Sequence, residues 1–118
     1  MRQPPAIDGF GGGGFRVAGV WRPGSLLIVA DEPRAWRPAS IAEVALEDFQ
    51  PVLSLHAGTV EFVLLGTGPR QTLPSAALRE GLRRAGVGLE FMATEAAARL
   101  HNVLASEGRL FATALIAV

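Results

Sequence analysis

The second half of the chain alternates apolar strand-like runs with helical runs, and this alternation limits the fold more than any other feature. Continuous apolar runs predict buried strands at Val60–Leu65, at Gly88–Met92 and at Leu110–Val118. Between them, apolar spacing and glycine stops predict helices at 74–85 and 94–107. Strands that alternate with helices pair in parallel through right-handed crossovers. The sequence therefore predicts a β-α-β-α-β unit of the α/β class.

The first half of the chain predicts an antiparallel pair in front of this unit. Residues 15–21 alternate apolar with small or polar residues, and residues 25–30 form a continuous apolar run. The intervening Arg22-Pro23-Gly24 is typical of a turn, so we expect the two strands to pair as an N-terminal β-hairpin. Residues 1–14 are expected to form a flexible Gly-rich lead. Together these elements predict a single domain over 1–118, with a mixed β-sheet and flanking helices.

Composition excludes several classes of function. The 118 residues are 49% hydrophobic and 19% charged, which suits one self-supporting core. Eleven arginines balance eleven acidic residues, so the charge offers no case for binding nucleic acid or an anionic membrane. The absence of cysteine and lysine excludes a disulfide, a thiol nucleophile, a Schiff-base lysine and a P-loop lysine. With two histidines, His56 and His101, we expect neither a metal nor a cofactor.

The loop after the strand at 60–65 is the best placed candidate for ligand binding. Gly66, Thr67, Gly68 and Arg70 follow a buried strand and precede a helix, at the sheet edge where open α/β proteins bind ligands. Glycine lets backbone N–H groups approach an anion, and the Thr67 hydroxyl and the Arg70 guanidinium add further donors. We expect the N–H groups of this loop to point outward into a concavity. The alternative is an ordinary strand-to-helix turn.

The helix at 94–107 can be divided into two faces by its angular spacing. If Leu100 faces the core, Val103 and Leu104 face it too, while Ala98 and Asn102 lie on the far side, where they line a cleft or a partner surface. The alternative for Asn102 is plain solvation. His101 falls at the edge of the apolar stripe and is expected to be a half-buried structural residue, and Thr94 is expected to cap the helix.

Several motifs together resemble a known family over nearly the whole chain. They are Gly-Phe-Gly-Gly-Gly-Gly-Phe-Arg-Val at 9–17, Gly-Ser-Leu-Leu at 24–27, Leu-Leu-Gly-Thr-Gly at 64–68, Gly-Val-Gly-Leu-Glu-Phe-Met at 86–92 and His-Asn-Val-Leu-Ala-Ser-Glu-Gly-Arg at 101–109. The chain resembles the small α/β family that includes the mitochondrial respiratory complex I assembly factor 3. The resemblance implies a mixed sheet flanked by helices and marks Gly66, Thr67, Gly68, Asn102 and Arg109 as recurrent family positions. In relatives the position of His101 is often tyrosine, so a role for that hydroxyl is lost here.

Two functions from different classes remain open. The eukaryotic members help to assemble NADH:ubiquinone oxidoreductase through protein contacts, which implies a non-enzymatic protein-binding or assembly module. The alternative is an anion-binding or small-molecule-binding protein, or an enzyme, that uses the Gly66–Gly68 loop together with Arg70, Asn102 and Arg109. We expect no turnover, because no nucleophile stands beside a base in a recognisable pattern.

The aromatic residues bear on partner binding, and the N-terminal residues bear on the cellular compartment. Trp21, Trp36 and Phe10 lie near turn and Gly-rich segments, and tryptophan and arginine are the types that dominate interface energies. The alternative is that both tryptophans belong to the core. Residues 1–5 have neither the apolar segment of a signal peptide nor the Arg-rich helix of a transit peptide, so the bacterial cytoplasm is the expected compartment.

Overall fold

The computed structural model describes residues 3–118, and within them eight strands form two sheets. The strands are Ile7–Gly11 (β1), Gly14–Val17 (β2), Val20–Pro23 (β3), Ser25–Val29 (β4), Glu32–Trp36 (β5), Phe62–Gly66 (β6), Gly88–Met92 (β7) and Phe111–Leu115 (β8). The first three form an antiparallel sheet in the order β1-β2-β3. The other five form a mixed sheet in the order β5-β4-β8-β6-β7.

The α/β unit predicted for the second half is confirmed. Strand β6 pairs in parallel with both β7 and β8, and β8 pairs antiparallel with β4. The connecting helices are Ala76–Arg84 (α2) and Thr94–Ser106 (α3), preceded by two short 3₁₀ turns and the one-turn helix Gln50–Leu53 (α1). Gly86 and Gly108 take φ values of +77° and +70° just after α2 and α3, where only glycine adopts this conformation freely.

The predicted pairing in the first half is wrong. The run at 15–21 turns at Ala18 and Gly19, whose φ values are +48° and +81°, so it splits into β2 and β3, which pair with each other. Strand β4 pairs instead with β5, across a second two-residue turn at Ala30 and Asp31. Two positive φ values in a row are typical of the tight hairpin turn that matches strand twist.

The flexible lead predicted for residues 1–14 is wrong from Ile7 onward. Residues 7–11 form β1, and Gly12 and Gly13 make the turn into β2. Met1 and Arg2 belong to the segment for which the sequence predicts a flexible lead and no targeting signal, and they lie outside the described residues. A glycine-rich run can therefore supply a strand and a turn when the next strand offers it a ladder of hydrogen bonds.

Two apolar layers cover the five-stranded sheet. Side chains alternate across β4, so Leu26 and Ile28 meet α3 and the three-stranded sheet, while Leu27 and Val29 meet the side of α1 and α2. On the second side, the Nε1–H of Trp36 donates to the Asp48 carbonyl at 2.9 Å. No helix within residues 3–118 has the length and hydropathy needed to cross a membrane.

The predicted faces of α3 are wrong for Ala98 and Val103 and correct for Leu104 and Asn102. Its buried residues are Thr94, Ala97, Ala98, His101, Leu104 and Ala105, whereas Val103 is 52% exposed and Leu100 is only partly buried. The interior selects the small side chains of Ala97 and Ala98, which let the helix lie close to β6. Thr94 is not the cap either, because the N-cap is Ala93 and the Thr94 side chain is fully buried.

Candidate functional site

The predicted loop lies at the carboxyl end of the three parallel strands, as the sequence indicates. Gly66 ends β6 at a point where a Cβ atom would stand 2.8 Å from Leu115 Cδ2 and 2.9 Å from Thr94 Cα. Since atoms do not approach that closely, any side chain at this position would push α3 away from the sheet. Glycine is required here for packing between elements.

The backbone donors of this loop point into the protein, contrary to expectation. The Thr67 N–H donates to the Met92 carbonyl at 2.8 Å, and the Gly68 N–H donates to Thr94 Oγ1 at 2.9 Å. The Thr94 hydroxyl in turn donates to the Ile116 carbonyl at 2.8 Å. These bonds join the ends of β6, β7 and β8 to the start of α3, so the two N–H groups are not available to an anion.

The Thr67 side chain is also committed within the loop. Its hydroxyl donates to the Arg70 carbonyl at 2.5 Å and accepts from the Thr72 N–H at 3.1 Å. Outside this closed turn lies a shallow cavity of about 390 Å³, whose lining includes Ser40, Thr72 and the exposed Arg70. The guanidinium of Arg70 is thus the one charged group that the loop brings to this edge of the described structure.

The remaining predicted site residues do not converge on the loop. Asn102, on α3, accepts from the Ile7 N–H and donates to the Ile7 carbonyl, both at 2.9 Å, and so fastens β1 to the helix. The Arg109 guanidinium lies 5.3 Å from the centroid of the Phe62 ring, at the amino end of β6 and opposite the end that carries Gly66. The six candidates therefore belong to three separate places in the fold.

His101 is the buried polar group beside Asn102 on the same helix. Its Nδ1 lies 2.7 Å from the Thr113 hydroxyl and its Nε2 lies 2.8 Å from the Pro5 carbonyl. Burial lowers the pKa of His101, and the contact with the Pro5 carbonyl opposes that shift. A hydroxyl beside an imidazole has the chemistry of a nucleophile and its base, but both side chains are buried, so no substrate reaches them.

Trp21 provides the exposed aromatic group that the sequence left undecided. It is 47% exposed on β3, directly opposite Arg16 of β2, whereas Trp36 is only 7% exposed. Its ring lies over Gly14, where a Cβ atom would stand 2.8 Å from Trp21 Cζ2. One tryptophan therefore belongs to the core and the other to the surface.

A groove runs beside Trp21 between the two sheets. It has a volume of about 400 Å³ and is lined by strands β3, β4 and β5. Its cationic residues are Arg22 and Arg34, and no carboxylate lies among the described residues that line it. We call Trp21, Arg16, Arg22 and Arg34, together with this groove, the Trp21 surface.

A family model described as "Protein of unknown function (DUF498/DUF598)" matches residues 7–116. The chain belongs to this family. An uncharacterised family relative in Rhodobacter capsulatus is 38% identical over 110 residues, which cover 93% of this chain and 82% of that protein. The NADH dehydrogenase [ubiquinone] 1 alpha subcomplex assembly factor 3 of Danio rerio is 30% identical over 103 residues, which cover 87% of this chain and 59% of that protein.

The solved structures agree with the family assignment. A protein of Bartonella henselae, described as an outer membrane protein, matches with a TM-score of 0.90 at 31% identity, covering 98% of this chain and 97% of that one. The resemblance to the family of the assembly factor is thereby confirmed, together with the predicted fold class. The chain spans about three fifths of the length of the assembly factor, so that protein's role is not transferred with the fold.

Proposed function

We propose that this DUF498/DUF598 family member is a non-enzymatic module that binds another protein through the Trp21 surface. The observation that carries the proposal is Trp21 itself, a large aromatic side chain left 47% exposed beside arginines. Tryptophan and arginine are the residue types most enriched where binding energy concentrates. The Danio rerio relative is named as an assembly factor, which supports a role through protein contacts.

The chemistry of the described residues supports binding rather than turnover. The hydroxyl–imidazole pair of Thr113 and His101 is sealed in the core, and the donors of the 66–68 loop are used internally. Catalysis requires a nucleophile or base that a substrate can reach. The bacterial cytoplasm remains our proposed compartment, and cell fractionation tests it against a membrane location.

Capture of a partner from an extract of the native organism tests the proposed function. We expect Trp21→Ala to lose the partner that the unchanged protein captures, while Leu73→Ala keeps it, because Leu73 is 62% exposed far along the chain in the loop before α2. Thermal unfolding of both variants checks that the fold is intact. A folded Trp21→Ala variant that captures the same partner in the same amount would contradict the proposal.

The cavity beside Arg70 supports a second candidate, a small anionic ligand at the carboxyl edge of the sheet. Its volume of about 390 Å³ is within the range of small-molecule sites, and Arg70 supplies a guanidinium at its rim. Thermal unfolding with and without phosphate tests it. We expect phosphate to raise the melting temperature of the unchanged protein and not that of Arg70→Ala, and an equal response in both variants would contradict this candidate.

A further inference from the structure

We infer that the partner places an acidic peptide segment on the Trp21 surface, with its carboxylates on Arg22 and Arg34 and an apolar side chain on Trp21. This inference rests on the proposed function and adds the chemistry of the partner to it. The groove beside Trp21 is bounded by Trp21, Arg22 and Pro23 of β3, by Leu26 of β4, and by Arg34 and Ala35 of β5. It thus combines apolar side chains with two arginines.

Within residues 3–118, the arginines of this surface form no ion pair with an acidic side chain. The described arginines that do form ion pairs are Arg37, Arg83, Arg84, Arg99 and Arg109. Arg70 and Arg79 share the unpaired state of Arg16, Arg22 and Arg34 in this part of the chain, but they lie away from the groove. The nearby Asp8 carboxylate accepts from the Gly19 N–H at 2.6 Å, and the Arg16 guanidinium makes a long hydrogen bond of 3.4 Å to the Gly19 carbonyl.

Arg22 adds an observation independent of charge. Its Nε is buried and has no hydrogen-bond partner in the described part of the chain. Buried polar groups are almost always paired, and an orphan donor of a guanidinium marks a place where an acceptor is missing. The Nε itself is enclosed, but Arg22 as a whole is only half-buried and lines the groove. Carboxylates bind guanidinium groups through paired hydrogen bonds, so an acidic side chain in the groove pairs with this guanidinium.

The two open strand edges at the groove direct the partner toward side-chain contacts. In each hairpin the residue pair beside the turn forms backbone hydrogen bonds between the two strands, and these pairs are Val17–Val20 and Val29–Glu32. Along an antiparallel ladder every second pair is hydrogen-bonded in this way, and the backbone groups of the pairs between them face away from the partner strand. This alternation aims the backbone nitrogens of Pro23 and Pro33 at the open edges, where they have no hydrogen to donate. Because proline interrupts both edges, a continuous added strand is excluded as the main mode of binding.

The charge of the whole chain favours a short acidic segment over a long polyanion. Eleven arginines and eleven acidic residues balance, so a nucleic acid docked at this surface would also meet repulsive carboxylates beyond it. A peptide segment covers only the groove, and its apolar residue gains the contact with Trp21. We therefore expect a partner that places a few carboxylates on these arginines rather than a polyanion that binds by overall charge.

Titration with two synthetic peptides tests this inference. One peptide alternates glutamate with leucine, and the other replaces each glutamate by glutamine. We expect the acidic peptide alone to shift the indole N–H resonance of Trp21, with the buried Trp36 as an internal reference. Replacing both arginines, Arg22→Gln with Arg34→Gln, should weaken binding about tenfold or more. The pair Arg83→Gln with Arg84→Gln on α2 removes the same charge elsewhere and should leave binding unchanged.

In the peptide titration, the inference is overturned by no binding of the acidic peptide, by equal binding of the glutamine peptide, or by equal loss in the two double variants. Displacement of the acidic peptide by single-stranded DNA at equal charge would assign the surface to a polyanion instead. If Trp21→Ala abolishes capture of the native partner while the Arg22/Arg34 double variant retains it, the proposed function stands and the acidic partner is wrong. If Trp21→Ala retains the native partner, the proposed function itself fails.

Discussion

His101 shows how one buried side chain joins three parts of the chain. The Pro5 carbonyl only accepts hydrogen bonds, so the Nε2 atom of His101 carries a proton. Burial lowers the pKa of His101 and favours the neutral imidazole, in which Nδ1 accepts from the Thr113 hydroxyl and both nitrogens are paired. Asn102, the next residue on α3, forms two hydrogen bonds with the backbone of Ile7. Together His101 and Asn102 fix the segment from Pro5 to Ile7 against the helix.

Because burial lowers the pKa of His101, the free energy of unfolding should depend on pH. The unfolded state takes up a proton as pH falls through the ordinary histidine pKa of 6.5, before the folded state does. Stability is then complete above pH 6.5 and decreases as pH falls toward the lowered folded pKa. Urea unfolding between pH 7.5 and 5.5 measures this loss, above the range in which carboxylates titrate.

Variants at the two histidines separate this effect from general acid sensitivity. His101→Gln should lower stability at pH 7.5 and flatten the dependence on pH. His56→Gln is the matched control, since His56 is exposed, and should keep the slope of the unchanged protein. An identical slope in His101→Gln would show that another group causes the pH dependence.

At the scale of the element, α3 presents its small and polar residues to the core and leaves a valine outside. Leu104 is 7% exposed and packs with Phe111 and Leu115 of β8, whereas Val103 points away from this cluster. Helical spacing alone allowed either arrangement, because alanine, leucine and valine occur on several sides of the helix. The orientation of α3 is set by the side chains of the sheet against which the helix packs.

Two truncations on α3 test this orientation. Leu104→Ala should destabilise the fold by about 2–5 kcal/mol, since it leaves a cavity in the core. Val103→Ala should change stability by less than about 0.5 kcal/mol, as expected of an exposed position. Urea midpoints with unchanged slopes compare the two variants, and a larger loss for Val103→Ala would reverse the assigned faces.

At the scale of the whole molecule, each of the two sheets has one end strand that carries a proline. Strands β3 and β5 are end strands, and each carries a proline whose nitrogen faces outward. Such prolines are a common protection against edge-to-edge association. The other two end strands, β1 and β7, contain no proline, so this protection applies to the two edges beside the Trp21 surface.

Removal of one proline should expose this protection. Pro33→Val restores an N–H on the β5 edge and adds a residue of high β propensity, so we expect dimers or larger species at high protein concentration. Pro69→Val makes the same change in an exposed loop and should leave the mass unaltered. Size-exclusion chromatography with light scattering reads the outcome, and equal masses for the two variants would mean that Pro33 does not guard the edge.

The elements with local signals can be identified from the amino-acid sequence. Apolar runs marked β6, β7 and β8, amphipathic spacing marked α2 and α3, and Gly86 and Gly108 marked the helix ends. From these, the order of elements required parallel pairing and hence the α/β class. The location of the Gly66–Gly68 loop at the carboxyl edge followed from the same order.

The partner of each polar group and of each strand depends on tertiary contacts that the sequence does not reveal. The N–H of Gly68 was expected to face solvent, and it turns inward because Thr94, 26 positions away, presents a hydroxyl to it. Strand β4 pairs with β5 and β8, and His101 is buried because Thr113 and Pro5 satisfy both of its nitrogens. Most of these outcomes depend on a hydrogen-bond partner or a packing surface that is distant in the chain. The strand pairing also depends on the tight turn at Ala18-Gly19, which pairs β2 with β3. Local periodicity does not predict these pairings, because the free energy that stabilises them is gained only when the elements pack together.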